Sequence, residues 1–324
     1  MHGRRIGPDA VQLMRYDEST ERWLAQEAPF EKEIARYWGD WGVLSEVGRL
    51  RAVLMRRPGA EIENMGDPAA WRFREAIDPE VARKQQDALT DIYRAHGVAV
   101  HYVEEMRRDR PNAMFMRDLV FMTPEGAILA RPAIGARRGE EKYAAKALAK
   151  LGIPIVRTVT GSGVFEGACA MWVARDCVVL GTGVRCNEEG AHQVSDALGG
   201  MGVKQVIPFP IPYGHAHVDG LMNMLDYDLG MIFPWQTPYQ VWKALVDRGI
   251  NVLEAPSVDE VKQGSAMNWV ALEPRKVVAV KGNPETRQLL EDNGVTVIEA
   301  DVSEIRKGWG GIHCMTVFLK RDEP

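Results

Sequence analysis

The segment AMNWVALEPRKVVAVKGNPETRQLLEDNGVTVIEA (residues 266–300) contains one complete unit of the fold that we predict for this chain. Two β-rich runs come first, and a run with helical periodicity follows and ends on Gly294. A third β-rich run, VTVIEA, begins directly after that glycine. Glycine is a common stop after a helix, and alternating Val and Ile residues are typical of a strand. The segment therefore predicts a ββαβ unit.

The same pattern recurs along the chain. Five helical runs end on a glycine that a β-rich run follows at once: Gly97, Gly152, Gly202, Gly249 and Gly294. Four of the five helical runs follow a hairpin-like pair of β-rich runs. The glycines lie about 45 to 55 residues apart, and a period of this size indicates a repeat architecture.

The first and last β-rich runs each lack a partner. A single strand, in RLRAVLMRRPG (residues 49–59), precedes the first helical run, and GIHCMTVFLKR (residues 311–321) stands alone at the other end. If these two pair, they complete the fifth unit and close a ring without exposed sheet edges. The sequence therefore predicts an α/β propeller with five-fold pseudosymmetry, as one catalytic domain over residues 48–324. Residues 1–47 are expected to be an N-terminal extension that caps the ring or makes an oligomer contact.

Composition limits the classes of protein. The chain is 46% apolar and 26% charged, which suits a globular protein with a large core. Its net charge of −5 includes no basic block, and neither an apolar leader nor a run of membrane-spanning length is present. We therefore expect a cytoplasmic protein without nucleic-acid or membrane partners, and its oligomeric state stays open. The cysteines are irregularly spaced, which indicates reduced thiols: Cys169, Cys177, Cys186 and Cys314.

Polar residues mark the start of each predicted hairpin, and closure of the ring would bring them to its axis. Units one to four contribute Cys314, Asp118, Glu166, and His217 with Asp219, and unit five contributes Ser265 and Asn268. Asp and Glu are seldom buried without a partner, so their presence at equivalent positions favours a shared site. The pattern predicts a site with a nucleophile, a base and three carboxylates.

Five short motifs carry a resemblance to a known family. In chain order they are PNAMFMRD (residues 111–118), FEGA (165–168), GTGVRCN (181–187), HVDG (217–220) and GGIHCMT (310–316). Together they resemble the guanidino-group-modifying superfamily, which has the pentein fold. That superfamily includes arginine deiminases, dimethylarginine dimethylaminohydrolases, agmatine deiminases and amidinotransferases. The resemblance covers nearly everything from residue 51 to the end of the chain.

The resemblance and the residues imply one chemistry. Asp118 and Glu166 would hold the planar, cationic guanidinium by charge-assisted hydrogen bonds while Cys314 attacks its central carbon. His217 would protonate the leaving amine and then activate water, and the thiolate would be favoured by the charges of substrate and imidazolium. Asp219 would orient the imidazole or touch the guanidinium. The product is a ureido compound, formed through a covalent thiouronium without a metal or cofactor.

An arginine-like substrate is expected because Asn112 and Arg185 match motif positions that hold the α-carboxylate or α-amine in arginine deiminases. Arg137 or the adjacent Arg138 is a candidate for a second carboxylate-binding arginine. Cys169 stands where arginine deiminases have an aspartate, which makes free arginine itself a less secure choice.

Three alternatives remain at this point. Amidinotransfer uses the same nucleophile and base, although Glu166 favours the hydrolase, because amidinotransferases carry Asp there. A metal-dependent amidohydrolase would use His215, His217 and Asp219, but the chain is poor in further histidine ligands. A binding module that has lost activity is the third alternative. His313 is expected to be structural, on the face of a strand opposite Cys314.

Overall fold

Five three-stranded sheets make up the architecture of the computed structural model, which describes residues 27–63 and 65–323. In every sheet the middle strand is antiparallel to one neighbour and parallel to the other. The sheets consist of β15 (Val317–Arg321), β1 (Leu50–Met55) and β2 (Ala99–Tyr102); β3 (Val120–Thr123), β4 (Gly126–Leu129) and β5 (Ile155–Thr158); β6 (Ala170–Ala174), β7 (Cys177–Thr182) and β8 (Gln205–Pro210); β9 (Met222–Asp226), β10 (Leu229–Ile232) and β11 (Asn251–Glu254); β12 (Val270–Glu273), β13 (Lys276–Val280) and β14 (Thr296–Ala300). The predicted ββαβ units are confirmed.

The ring closes through its two ends. β15 pairs antiparallel with β1, with Phe318 opposite Val53 and Val317 opposite Leu54. The last strand of the chain therefore completes the sheet that the first strand begins. This confirms the predicted five-fold propeller.

One helix connects the second and third strands of each unit. These helices are α2 (Pro79–Ala95), α3 (Glu141–Lys150), α4 (Glu188–Gly200), α5 (Tyr239–Asp247) and α7 (Pro284–Asp292). The five glycines singled out in the sequence follow them with φ between 75° and 87°, the left-handed conformation that ends a helix. Outside this repeat lie α1 (Phe30–Tyr37) and the short α6 (Val258–Lys262) and α8 (Ile312–Met315).

The core surrounds the inner strands. Every residue of β3 and β4 is buried, whereas the outer strand β5 is largely exposed. Neighbouring units are joined by an equivalent contact, because Trp172 Nε1 donates to Met122 O and Trp269 Nε1 donates to Met224 O, both at 2.9 Å. The pseudosymmetry thus extends from the backbone to buried side chains.

Two expectations about local structure need comment. Cys314 and His313 lie in the helical turn α8 and not on a strand, since β15 begins only at Val317. The boundary at residue 47 stays a prediction, and residues 43–47 are buried. Residues 1–26, which include the segment judged to lack a leader, lie outside the described residues. Among the described residues, no helix has the length and apolar character needed to cross a membrane.

Candidate active site

A turn precedes the first strand of each sheet and carries the polar residues named from the sequence. Asp118 lies in the turn Met116–Leu119, Asp219 lies in Val218–Gly220, and Cys314 lies in α8. With His217 they line one open cavity of about 1070 Å³. Glu166 lies behind His217 and is fully buried. The structure therefore brings the five predicted catalytic residues together at the centre of the ring.

His217 lies between two carboxylates. Its Nε2 is 2.7 Å from Glu166 Oε2, and its Nδ1 is 3.6 Å from Asp118 Oδ1. Burial lowers the pKa of His217, but the charges of Asp118 and Glu166 outweigh this effect and raise the pKa above its ordinary value. Burial likewise raises the pKa of Glu166, but the hydrogen bond and charge of His217 lower it overall. Each of the two groups therefore favours the charged form of the other.

Cys314 contacts a carboxylate and an amide. Its Sγ lies 3.6 Å from Asp219 Oδ2 and 3.2 Å from Asn268 Nδ2, and its backbone N–H donates to Asn268 Oδ1 at 3.2 Å. Burial, followed by the charges of Asp219 and Asp118, raises the pKa of the Cys314 thiol well above its ordinary value, although Asn268 opposes this. The thiol of the ligand-free site is therefore protonated. Unit five, which offered few signals in the sequence, supplies both amide contacts.

The glycines before Cys314 allow a close approach. A Cβ atom on Gly310 would lie 2.3 Å from the Phe115 ring, and one on Gly311 would lie 2.6 Å from Asn268 Oδ1. Real Cβ atoms do not make contacts this short, so a side chain at either position would displace its neighbour. The Gly-Gly pair is thus a packing requirement of the site.

A buried polar chain supports Asp219 from behind. His313 Nδ1 lies 2.8 Å from Asp219 Oδ2, and His313 Nε2 lies 3.3 Å from Glu46 Oε2. Glu46 Oε1 in turn accepts from Arg117 Nη2 at 3.0 Å. Burial alone would raise the pKa of Glu46, but Arg117 and His313 lower it to about 2. Sequence reasoning missed Glu46 because it precedes the repeats.

Arg137 holds Asp118 in place. Its guanidinium bonds Asp118 Oδ2, and it also donates to Glu140 Oε2 at 2.8 Å and to the backbone oxygen of Phe115 at 2.9 Å. It is 3% exposed. Although Arg137 borders the cavity, its donors are used by protein acceptors, so this geometry favours a positioning role over the expected substrate contact.

The other two predicted substrate-binding residues also border the cavity. Arg185 Nη1 lies 3.1 Å from Glu166 Oε1, and Asn112 Nδ2 donates to Trp71 O at 3.0 Å. Cys169 is buried, is the last residue of the turn Gly167–Cys169 that follows Glu166, and is not among the cavity residues. The Cys169 sulfur, at the position where the resemblance implies an aspartate in arginine deiminases, therefore does not supply a contact from the cavity wall.

Comparison with known proteins identifies the family. A family model described as "N,N dimethylarginine dimethylhydrolase, eukaryotic" matches residues 61–321. The chain belongs to the dimethylarginine dimethylaminohydrolase family. Membership confirms the predicted superfamily, the pentein fold and the class of guanidino-group hydrolase, and it favours an enzyme over an inactive binding module.

Individual relatives of this family are distant. An N(G),N(G)-dimethylarginine dimethylaminohydrolase of Streptomyces coelicolor is 26% identical over 251 residues, which cover 76% of this chain and 89% of the relative. The solved structure of the Pseudomonas aeruginosa enzyme with citrulline is 24% identical, has a TM-score of 0.68, and covers 83% of this chain and 99% of its own. An amidinotransferase of Microseira wollei, at 15% identity and a TM-score of 0.72, covers 88% of this chain and 98% of its own. These two structures establish the shared fold.

The alternative metal site is not assembled as the sequence suggested. Among the described residues, the group with suitably placed ligand atoms is Asp118, Glu166 and His217, whose atoms lie within 4.8 Å of one another. Asp219 faces His313 and Cys314 instead, and His215 is not part of the group. The hydrogen bond between His217 and Glu166, at 2.7 Å, accounts for the short distance between these two members of the group.

Proposed function

We propose that this protein hydrolyses a C–N bond in the guanidino group of an arginine-like compound, with N-methylated arginines as the first candidates. The observation that carries the proposal is the convergence of Cys314, His217 and two carboxylates on one cavity of a family member. The products would be a ureido amino acid and ammonia or an amine.

An unpaired acceptor supports guanidinium binding. Asp118 Oδ1 is buried and accepts no hydrogen bond from the residues that the structure describes, although His217 Nδ1 lies 3.6 Å from it, while Oδ2 of the same carboxylate is held by Arg137. A buried acceptor without a donor costs free energy, which a guanidinium N–H would recover. We assign Asp118 to one edge of the guanidinium and Asp219, next to Cys314, to another. Glu166 keeps His217 charged and completes the negative environment.

The proposed reaction has two halves. The guanidinium brings positive charge next to Cys314, which lowers the thiol pKa, and the proton leaves to solvent. The thiolate then bonds to the central guanidino carbon, and the C–N bond breaks as His217 gives its proton to the leaving amine. Neutral His217 next takes a proton from water, whose oxygen bonds to the thiouronium carbon. Cleavage of the C–S bond releases the ureido product and Cys314.

Amidinotransfer is the second candidate because its first half is identical to that of hydrolysis. In the second half an amine would replace water.

A single experiment tests both reactions. Purified protein is incubated with arginine, methylated arginines, agmatine and other guanidino acids, with and without an acceptor amine, and ureido product, ammonia and amine are measured. A ureido product that depends on Cys314 supports hydrolysis. If a product forms only when the acceptor amine is present, amidinotransfer replaces hydrolysis as the proposed reaction. A cytoplasmic location stays a prediction, and whether the protein forms a homo-oligomer stays open.

A further inference from the structure

A glutamate that the proposed reaction does not use lies behind the floor of the cavity. Glu140 directly precedes α3, is fully buried and does not border the cavity. Its Oε2 accepts two hydrogen bonds from Arg137, from Nε at 2.9 Å and from Nη2 at 2.8 Å. Nη1 of the same guanidinium bonds Asp118 Oδ2. One arginine is therefore shared between a carboxylate that borders the cavity and a carboxylate that does not.

The shared arginine is held on several sides. Arg137 Nη2 also donates to the backbone oxygens of Phe115 at 2.9 Å and Asn112 at 3.3 Å. The backbone N–H of Glu140 donates to Arg137 O at 3.1 Å, which fixes the two residues relative to each other. Because a guanidinium is planar and these bonds use all three of its nitrogens, it stays between the two carboxylates. A change of charge on Glu140 therefore alters the charge balance at Asp118 without a rearrangement of the chain.

The other aspartate of the cavity has a similar support with a different charge balance. His313 lies between Asp219 and Glu46, and both oxygens of Glu46 have partners, since it also accepts from Arg117. Glu140 has its cationic partner on one oxygen only, and its buried Oε1 accepts no hydrogen bond from the described residues. Fewer bonds to cations stabilise a carboxylate less in its charged form. Of the two buried glutamates, Glu140 is therefore the one that takes up a proton more readily.

The charges around Glu140 act in both directions. Burial raises the pKa of Glu140, and the charge and hydrogen bonds of Arg137 oppose this effect. The negative charges of Asp118 and Glu166 raise the pKa further, and the result is about 7. Glu140 thus changes its charge in the neutral range of pH, unlike an ordinary carboxylate.

Other charged groups near Glu140 are exposed or paired elsewhere. α3 packs on β4, β5 and the turn before β3. β4 has no charged residue, Arg157 of β5 is exposed, and Arg117, the second charged residue of the turn, forms a buried ion pair of its own. On α3 itself the lysines are exposed, and the adjacent Glu141 accepts from a backbone N–H at 2.7 Å. Arg137 is therefore the cation to which the charge of Glu140 is coupled.

This coupling reaches the cavity through Asp118, whose Oδ1 accepts no hydrogen bond from the described residues. When Glu140 is ionised, two carboxylates share the single charge of Arg137, and negative charge remains for a ligand. When Glu140 is protonated, Arg137 neutralises Asp118 alone. We propose that Glu140 is a positioning residue that acts through Arg137 on Asp118, and that its ionisation strengthens binding of the substrate guanidinium. The inference rests on the proposed function, which supplies the guanidinium.

The test compares two ligands that differ only at the reacting group. L-Arginine carries a guanidinium where L-citrulline carries a neutral urea, so the ratio of their Kd values measures the attraction of the site for positive charge. Titration calorimetry on Cys314→Ser protein, which excludes turnover, gives this ratio at about pH 6 and about pH 8.5, on either side of the pKa of Glu140.

The expected result depends on pH. At the higher pH the preference for arginine should be about tenfold smaller in Glu140→Gln than with native Glu140, as for one neighbouring charge in a partly buried site. At the lower pH the two proteins should converge, because native Glu140 is then protonated. Titration of His217 occurs in both proteins and cancels in the comparison. Glu141→Gln removes the adjacent carboxylate, which does not bond Arg137, and should leave the preference unchanged.

Three results would overturn the inference. They are an equal preference for arginine in both proteins at the higher pH, a loss in Glu140→Gln that is the same at both pH values, and a loss that is the same for both ligands. The last two would show that Glu140 only supports the fold. Failure of arginine to bind would also overturn the inference, because Asp118 would then attract no guanidinium. Turnover of the guanidine panel by protein with native Cys314 tests the proposed hydrolysis separately.

A second measurement applies if Glu140→Gln does not fold. In Cys314→Ser protein at about pH 6, the infrared difference spectrum on arginine binding should show the loss of a buried carboxylic acid band, because the incoming cation favours ionised Glu140. Citrulline, which is neutral, should leave this band in place. A spectrum without this loss on arginine binding would overturn the inference.

Discussion

His313 is linked to Cys314 through Asp219, although His313 and Cys314 are neighbours in the chain. His313 Nδ1 lies 2.8 Å from Asp219 Oδ2, the same oxygen that lies 3.6 Å from Cys314 Sγ. On its other side the ring contacts Glu46, so both nitrogens are used within the core. Adjacency of His313 and Cys314 in the chain therefore does not bring the two side chains into contact, and the proposed acid and base remains His217, which borders the cavity.

Replacement of Cys314 tests the nucleophile. We expect Cys314→Ser to keep the melting temperature and to lose turnover, because a hydroxyl of ordinary pKa is a far weaker nucleophile than a thiolate. Cys177→Ser, which alters a buried sulfur on β7 away from the cavity, is the matched control and should stay active. Retention of activity within about tenfold of wild type by Cys314→Ser would exclude covalent catalysis.

His217 should be needed most for the second half of the reaction. His217→Ala leaves Cys314 able to attack while water lacks its base, so intact-mass spectrometry should show an accumulated adduct on Cys314. His215→Ala changes another imidazole of the same cavity and serves as the control. Unchanged steady-state turnover in His217→Ala would remove it from the mechanism, and equal losses in both variants would reopen the metal alternative.

Arg185 gives a prediction about substrate choice. If it binds a carboxylate, Arg185→Ala should lower kcat/KM for carboxylated guanidines by roughly ten- to a hundredfold, equivalent to about 1.5–3 kcal/mol. Because Arg185 also contacts Glu166 at 3.1 Å, a smaller loss is expected on every substrate. A methylated arginine carries the carboxylate and an agmatine-like guanidine does not. The difference between the losses of kcat/KM on these two substrates therefore measures the carboxylate contact alone. Equal losses on both substrates would show that Arg185 acts only through Glu166.

The Cys314 thiol should ionise only when a cation is bound. Burial and two carboxylates raise its pKa in the free protein, so its alkylation by iodoacetamide should increase only above the pH range of an ordinary thiol. An unreactive amidinium ligand should lower that pKa, seen as thiolate absorbance at lower pH. Cys314→Ser protein supplies the background from the other cysteines. An inflection below the ordinary range in free protein would contradict this order of events.

Glu46 should matter for stability rather than for contact with substrate. Glu46→Gln leaves Arg117 buried without its carboxylate, which should cost about 3–5 kcal/mol of unfolding free energy. Because the folded pKa of about 2 lies below the ordinary 4.5, the carboxylate stabilises the fold above the ordinary pKa and stops doing so as pH falls toward 2. Denaturant titrations should therefore show a difference between wild type and variant that shrinks below pH 4.5. If the difference in unfolding free energy between wild type and Glu46→Gln does not depend on pH, the ion pair between Glu46 and Arg117 does not cause it.

Much of the fold followed from local chemistry. Each repeat has a glycine after its helix and alternating Val and Ile in its strands, at a nearly constant spacing. These signals can be recognised without tertiary structure because residues that are close in sequence produce them. The unpaired first and last strands then required closure, which β1 and β15 confirm. Repeat alignment also determined which residues meet at the axis, namely the turns that carry Asp118, His217 and Cys314.

What the tertiary structure decided is which charged groups neutralise one another. Arg137 bonds Asp118, Glu46 joins Arg117 to His313, and Asn268 contacts Cys314, all between residues that are distant in sequence or that carry no pattern. Burial sets the protonation of these groups, and burial depends on atoms from several units at once. The sequence therefore determined the ring and the residues at its centre, whereas only the folded chain determined that Cys314 is buried beside two carboxylates, which favour its thiol form.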